Sequence, residues 1–118
     1  MSQHILVVDD EEDIRQLVSD FLVFEGFEVI AAANGAEALA ILEQDDPAVV
    51  LLDMRMPILD GWGLAEALRE RGLRVPIVVM SAARDAWDWC QEIGADACLP
   101  KPFNLVDLLA VIQSVAVH

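Results

Sequence analysis

Five short apolar runs, each followed by a segment with helical spacing, limit how this chain can fold. Ile5–Val8 runs into Asp9-Asp10, Ala48–Leu52 into Asp53, Pro76–Met80 into Ser81, and Ala97–Leu99 into Pro100-Lys101-Pro102. Phe27–Ala33, with Val29 and Ile30, supplies the remaining strand. Continuous apolar runs of strand length suit parallel strands buried on both faces. Between them, Ile14, Leu17, Val18, Phe21 and Leu22 predict a helix over 13–25 that Gly26 stops. Asn34 with Glu37 predicts a capping box opening a helix over 35–44. A third helix over 62–71 carries Leu64, Ala65 and Leu68 and stops at Gly72. Asp85 with Asp88 predicts the start of a short fourth helix that Gly94 ends. Asn104 with Asp107 opens the fifth, with Leu105, Leu108, Leu109 and Ile112 on one face. Strand–helix order repeated five times predicts an α/β fold: an open, mostly parallel five-stranded sheet with helices on both faces.

The 118 residues suit one domain, 1–118, large enough to carry its own core. With 7 basic and 21 acidic side chains the net charge is −14, which argues against a nucleic-acid backbone or an anionic membrane as direct partner. No apolar stretch approaches the roughly 20 residues that span a bilayer. The N-terminus runs straight into a strand and then acids, which is no signal peptide, so a cytoplasmic chain is expected. Cys90 and Cys98 lack zinc-ligand spacing and are expected as reduced, buried thiols. Lys101 is the only lysine among the seven basic residues.

In sheets of this kind ligands sit beyond the carboxyl ends of the strands. Those ends carry Asp9, Asp10, Asp53, Ser81 and Lys101. Carboxylates crowded together repel one another unless a cation offsets the repulsion, and Mg²⁺ prefers one or two carboxylates, waters and a phosphate. A carboxylate can attack phosphorus to form an acyl phosphate. Mg²⁺, the Lys101 ammonium and the Ser81 hydroxyl would then each cover one phosphate oxygen. No glycine-rich nucleotide loop is present, so the phosphoryl donor is not expected to be ATP.

The chain resembles the receiver domains of two-component response regulators, the fold of the chemotaxis response regulator. The matching motifs are Val7-Val8-Asp9-Asp10-Glu11, Leu52-Asp53-Met54-Arg55-Met56-Pro57, Asp60-Gly61, Ser81-Ala82, Gly94-Ala95-Asp96 and Lys101-Pro102-Phe103. The resemblance implies a flavodoxin-like sheet of order 2-1-3-4-5. It implies Asp53 as phosphoacceptor, with a sensor histidine kinase or phosphotransfer protein as donor. It implies Asp10 as a direct Mg²⁺ ligand, Asp9 as a ligand largely through water, and the backbone carbonyl of Arg55 as the other protein ligand. Ser81 becomes the switch hydroxyl and Lys101 the phosphate-binding lysine, with a cis Lys101–Pro102 peptide. Such a module is not an enzyme beyond its own phosphotransfer and autodephosphorylation, and it signals through the surface of the fourth helix, fifth strand and fifth helix. The last helix ends within a residue or two of the C-terminus, so either a stand-alone regulator or a receiver cut from a larger protein is expected.

The chain departs from that pattern at Cys98, where the family has Tyr or Phe; a thiol cannot fill an aromatic-sized pocket. Trp87 and Trp89, two residues apart, cannot share one helical face, so at least one is expected at the partner surface. The Arg55 side chain either lies over the acidic site against Glu11 or Glu12 or points to solvent. Two other classes compete: a non-phosphorylated interaction module, which Cys98 favours, and a hydrolase with an Asp nucleophile. The hydrolase wants a second acid near the nucleophile, which Met54-Arg55 does not supply.

Overall fold

Alternate residues of each inner strand enter two different cores, which is why these strands read as unbroken apolar runs. The computed structural model describes residues 4–82 and 86–116. Its elements run β1 His4–Val8, α1 Glu12–Phe24, β2 Glu28–Ala32, α2 Gly35–Leu42, β3 Val49–Asp53, α3 Gly61–Glu70, β4 Ile77–Ser81, α4 Ala86–Ile93, β5 Ala97–Pro100 and α5 Leu105–Ala116. The five strands are all parallel, in the order β2-β1-β3-β4-β5. Leu6, Val8, Val50, Leu52 and Val79 face a core closed by α2, α3 and α4. Ile5, Val7, Val49, Leu51, Val78 and Met80 face the core closed by α1 and α5.

The helix signals resolve locally. The Asn34 side chain accepts from Glu37 N–H at 2.9 Å, and Glu37 reaches back to Ala33 N–H at 3.0 Å. Asn104 likewise accepts from Asp107 N–H at 2.8 Å. Gly94, at φ 69, ends α4 in the left-handed region expected of a stop. The expected cap Asp85 lies outside the described residues. On α1, Val18 and Leu22 are buried and Ile14 half-buried, but Leu17 is 58% exposed. Leu17 stands a turn before Phe21 on the flank of the stripe, where the helix has already rotated away from the sheet.

The loop from β3 to α3 is pinned to the core at both ends. Met54 is fully buried, and its carbonyl accepts from Gly61 N–H at 2.9 Å. A Cβ on Gly61 would stand 2.9 Å from the Met54 Cα, so only glycine allows this approach. Asp60 caps α3, accepting from Gly63 N–H at 2.8 Å. Between these anchors Leu59 N–H closes a tight turn onto the Pro57 carbonyl at 2.8 Å, which holds Ile58 at φ 73. A β-branched residue at positive φ is strained, and Ile58 offsets little of this by burial because it is 81% exposed. Ile58→Gly should therefore raise stability by about 1 kcal/mol after the extra chain entropy of glycine is subtracted. Urea denaturation measures this, and an unchanged or lower midpoint would place no strain at Ile58.

Candidate functional site

The parallel register brings the carboxyl ends of four strands to one edge. Val8 stands opposite Leu52, Asp53 opposite Met80, and Ser81 opposite Pro100. Beyond β5 the ladder continues for one bond, from Lys101 N–H to the Ser81 carbonyl at 2.8 Å. The peptide between Lys101 and Pro102 is cis. Asp10, Glu11, Asp53, Arg55, Ser81, Ala82 and Lys101 line a cleft of about 550 Å³ at this edge.

The acid pair divides into two unlike residues. Asp9 is fully buried and does not line the cleft. Its backbone N–H donates to the Ala32 carbonyl at 3.2 Å and its own carbonyl accepts from Arg15 at 2.8 Å. Its Oδ1 accepts from Glu11 N–H at 2.9 Å, a local turn typical of aspartate. Its Oδ2 accepts from Lys101 Nζ at 3.1 Å. Asp10 is exposed at the cleft. Glu12 and Asp13, the rest of the acidic run, lie in the first turn of α1, where the helix dipole favours them.

Asp53 is 8% exposed. Burial pushes its carboxyl up from 3.8 to about 6; Lys101 opposes the shift, Asp9 and Asp10 add to it, and the Arg55 N–H, which donates to the carboxylate, works against it. Asp9, Asp10 and Asp53 each offer a carboxylate oxygen, and these lie within 4.8 Å of one another, so the three could hold a divalent cation. Ser81 is 5% exposed at the cleft wall.

A family model described as the response regulator receiver domain matches residues 5–113. The chain belongs to that family. It is a signalling module rather than an enzyme in the ordinary sense. This receiver is 44% identical over 115 residues to a probable transcriptional regulator, ycf27, of Porphyra purpurea, which covers 96% of the chain and 47% of the relative. It is 40% identical to the transcriptional regulatory protein PrrA of Mycobacterium tuberculosis, covering 96% of the chain and 49% of the relative. The chain thus spans about half the length of the curated relatives it matches. Among solved structures it is similar to the chemotaxis protein CheY4 of Vibrio cholerae, with TM-score 0.88, 34% identity, and 98% and 99% of the two chains covered. It is also similar to the receiver domain of the sensor histidine kinase PA1611 of Pseudomonas aeruginosa, with TM-score 0.89, 29% identity and both chains covered at 100%. That structure has a magnesium ion coordinated in its active-site cleft.

Several residues of the receiver gain a place that their sequence context did not reveal. The Arg55 side chain is exposed and pairs with neither Glu11 nor Glu12; its guanidinium carbon lies over the Trp89 ring, 5.0 Å from the centroid. Trp89 is buried and meets Trp62 edge-on, with centroids 4.8 Å apart and ring planes at 71°. Trp62 Nε1 donates to Glu92 at 2.9 Å. Trp87, by contrast, is 62% exposed, so the two tryptophans of α4 divide as their spacing required. The Asp96 side chain accepts from Ile77 N–H at 2.8 Å and fixes the start of β4. Cys98 and Cys90 are free, buried thiols in the α2–α4 core. Burial, with Cys98 as neighbour, pushes the Cys90 thiol up to about 12, which makes it a poor nucleophile. Among the described residues no helix is long and apolar enough to cross a membrane.

Two outcomes follow from the electrostatics. The folded chain binds the Asp53 proton more tightly than the unfolded chain, so this group lowers stability as pH rises from about 4 to about 6. In chelator, Asp53→Asn should therefore stabilise the fold by about 2 kcal/mol at pH 7 and change little near pH 4, as read by urea denaturation at both pH values. Lys101→Ala strands the buried Asp9 carboxylate and should cost about 3 kcal/mol at pH 7. A loss below about 1 kcal/mol, the range of an exposed pair, would mean that this ion pair is solvated rather than buried.

Proposed function

We propose that this receiver accepts a phosphoryl group on Asp53 from a phosphohistidine of a sensor kinase or phosphotransfer protein. The observation that carries the reading is the company Asp53 keeps: two further carboxylates within 4.8 Å, and Ser81 and Lys101 on the walls of the same cleft. With its ordinary value pushed only to about 6, Asp53 is mostly ionised at neutral pH and available as a nucleophile. One of its oxygens would form a bond to phosphorus as the phosphorus–nitrogen bond breaks, and the electron pair would leave with the imidazole. The Lys101 ammonium and the Ser81 hydroxyl are suited to two of the phosphoryl oxygens.

The donor set fits Mg²⁺, since hard oxygen ligands at a crowded acidic site are what that ion selects. Asp10 and Asp53 would hold it directly, Asp9 through water, and the Arg55 backbone carbonyl would complete the protein ligands. When bound it would neutralise oxygen charge on the transferred group. Buried behind the cleft and paired with Lys101, Asp9 suits an indirect role better than a direct one. The same cleft would support slow hydrolysis of the acyl phosphate. Phosphorylation would act through Ser81 on the surface of α4, β5 and α5, and Cys98 would leave that switch without its aromatic half.

Residues 1–118 are read as one receiver domain of a cytoplasmic protein. The names of the curated relatives associate this module with transcriptional regulation. At net charge −14 the receiver itself would pass its signal to protein rather than to nucleic acid. Incubation with a small-molecule acyl phosphate and Mg²⁺, followed by intact mass, should give one phosphoryl adduct. The adduct should be absent from Asp53→Ala and from samples without metal. An unmodified parent protein would favour a non-phosphorylated interaction module.

A further inference from the structure

We propose that Arg55 is a latch with two seats: the face of Trp89 when Asp53 is unmodified, and the phosphoryl group when Asp53 carries one. This rests on the phosphorylation of Asp53 proposed above. Arg55 is two residues beyond Asp53 and lines the same cleft, yet its guanidinium sits 5.0 Å from the Trp89 ring centroid. It is in no ion pair among the described residues, whereas Lys101, the other cation lining the cleft, is held by Asp9 at 3.1 Å. Among the described residues that line the cleft, Arg55 is thus the cation partnered by a ring face rather than by a carboxylate.

The two seats differ in strength. A solvent-exposed cation over an indole is a weak contact. A guanidinium meeting a phosphoryl group makes paired, charge-assisted hydrogen bonds in a fork geometry that matches its donors. The new group carries about −1.5 to −2 charges at neutral pH, placed on a nearly buried side chain where screening is low. Differential affinity of this kind is what moves a two-state element.

Release of the ring has somewhere to go. Trp89 belongs to α4, and it packs edge-on against Trp62 of α3, whose indole N–H is tied back to Glu92 of α4 at 2.9 Å. Arg55, Trp89, Trp62 and Glu92 therefore join the loop after β3 to two helices through side chains alone. Losing the cation from the Trp89 face removes the end of that chain nearest the phosphorylated residue. A shift of α4 on losing that contact would be read by a partner through Trp87, which stands exposed on the same helix.

The test uses indole ¹H–¹⁵N spectra and intact mass on the same samples of the full chain, with an acyl phosphate and Mg²⁺. Single Trp→Phe variants assign the three indole signals. The Trp89 signal should move on phosphorylation of the parent protein. In Arg55→Ala it should start displaced and move roughly threefold less, because the ring no longer exchanges one state for another. Arg55 is exposed, so this variant should keep the parental melting temperature. A purely structural arginine would leave the phosphorylation-induced movement equally large in both proteins, and that result overturns the latch. A parent protein that gains the adduct with an unmoved Trp89 signal also overturns it. A parent protein that gains no adduct overturns the phosphorylation of Asp53 instead, and the latch falls with it.

Discussion

The pairing of Lys101 with the buried Asp9 carboxylate is the contact on which the whole carboxyl edge of the sheet depends. Asp9 has no exposed surface, so its charge needs a partner inside the protein. Lys101 supplies that partner from 92 residues away. The same ammonium lowers the charge density around Asp53, which burial and two neighbouring carboxylates push the other way. The ion pair therefore closes the fold between β1 and β5 and leaves Asp53 as the acid whose ionisation is contested.

The crowding also sorts the acids by role. Both Asp9 carboxylate oxygens have a partner, Glu11 N–H and Lys101, while Asp10 faces the cleft. Two adjacent residues of one type thus have separate duties, one structural and electrostatic, the other open to a cation. Arg55 adds a third kind of charge to the cleft. Its backbone N–H serves Asp53, and its side chain serves Trp89. One residue therefore touches both Asp53 and the helix beside the cleft.

Much of this was legible from residue order. Apolar runs of strand length named the strands, Asn34–Glu37 and Asn104–Asp107 named two helix starts, and the polar residue after each run named the cleft. These signals are local: a cap needs its own backbone, and a strand end needs only its neighbours. Leu17 shows where a local pattern falls short, since a stripe fixes which side of α1 faces inward but not how far the sheet reaches around it. The contacts of Trp62 and Asp96 were not legible, because their partners Glu92 and Ile77 lie 30 and 19 residues away. No periodicity encodes such a pairing.

Residue order was enough to establish that Asp53, Asp10, Ser81 and Lys101 would share one edge, because the direction of every strand follows from the alternation of strand and helix. Which of two adjacent aspartates would be sealed inside, where the Arg55 guanidinium would rest, and which tryptophan of α4 would face solvent were settled only by packing. The first depends on how α1 and the segment after β5 close over the end of β1, the other two on how α3 and α4 pack together. The net charge of −14 at first only narrowed the choice of partners, yet three of its carboxylates are where folding concentrates the chemistry.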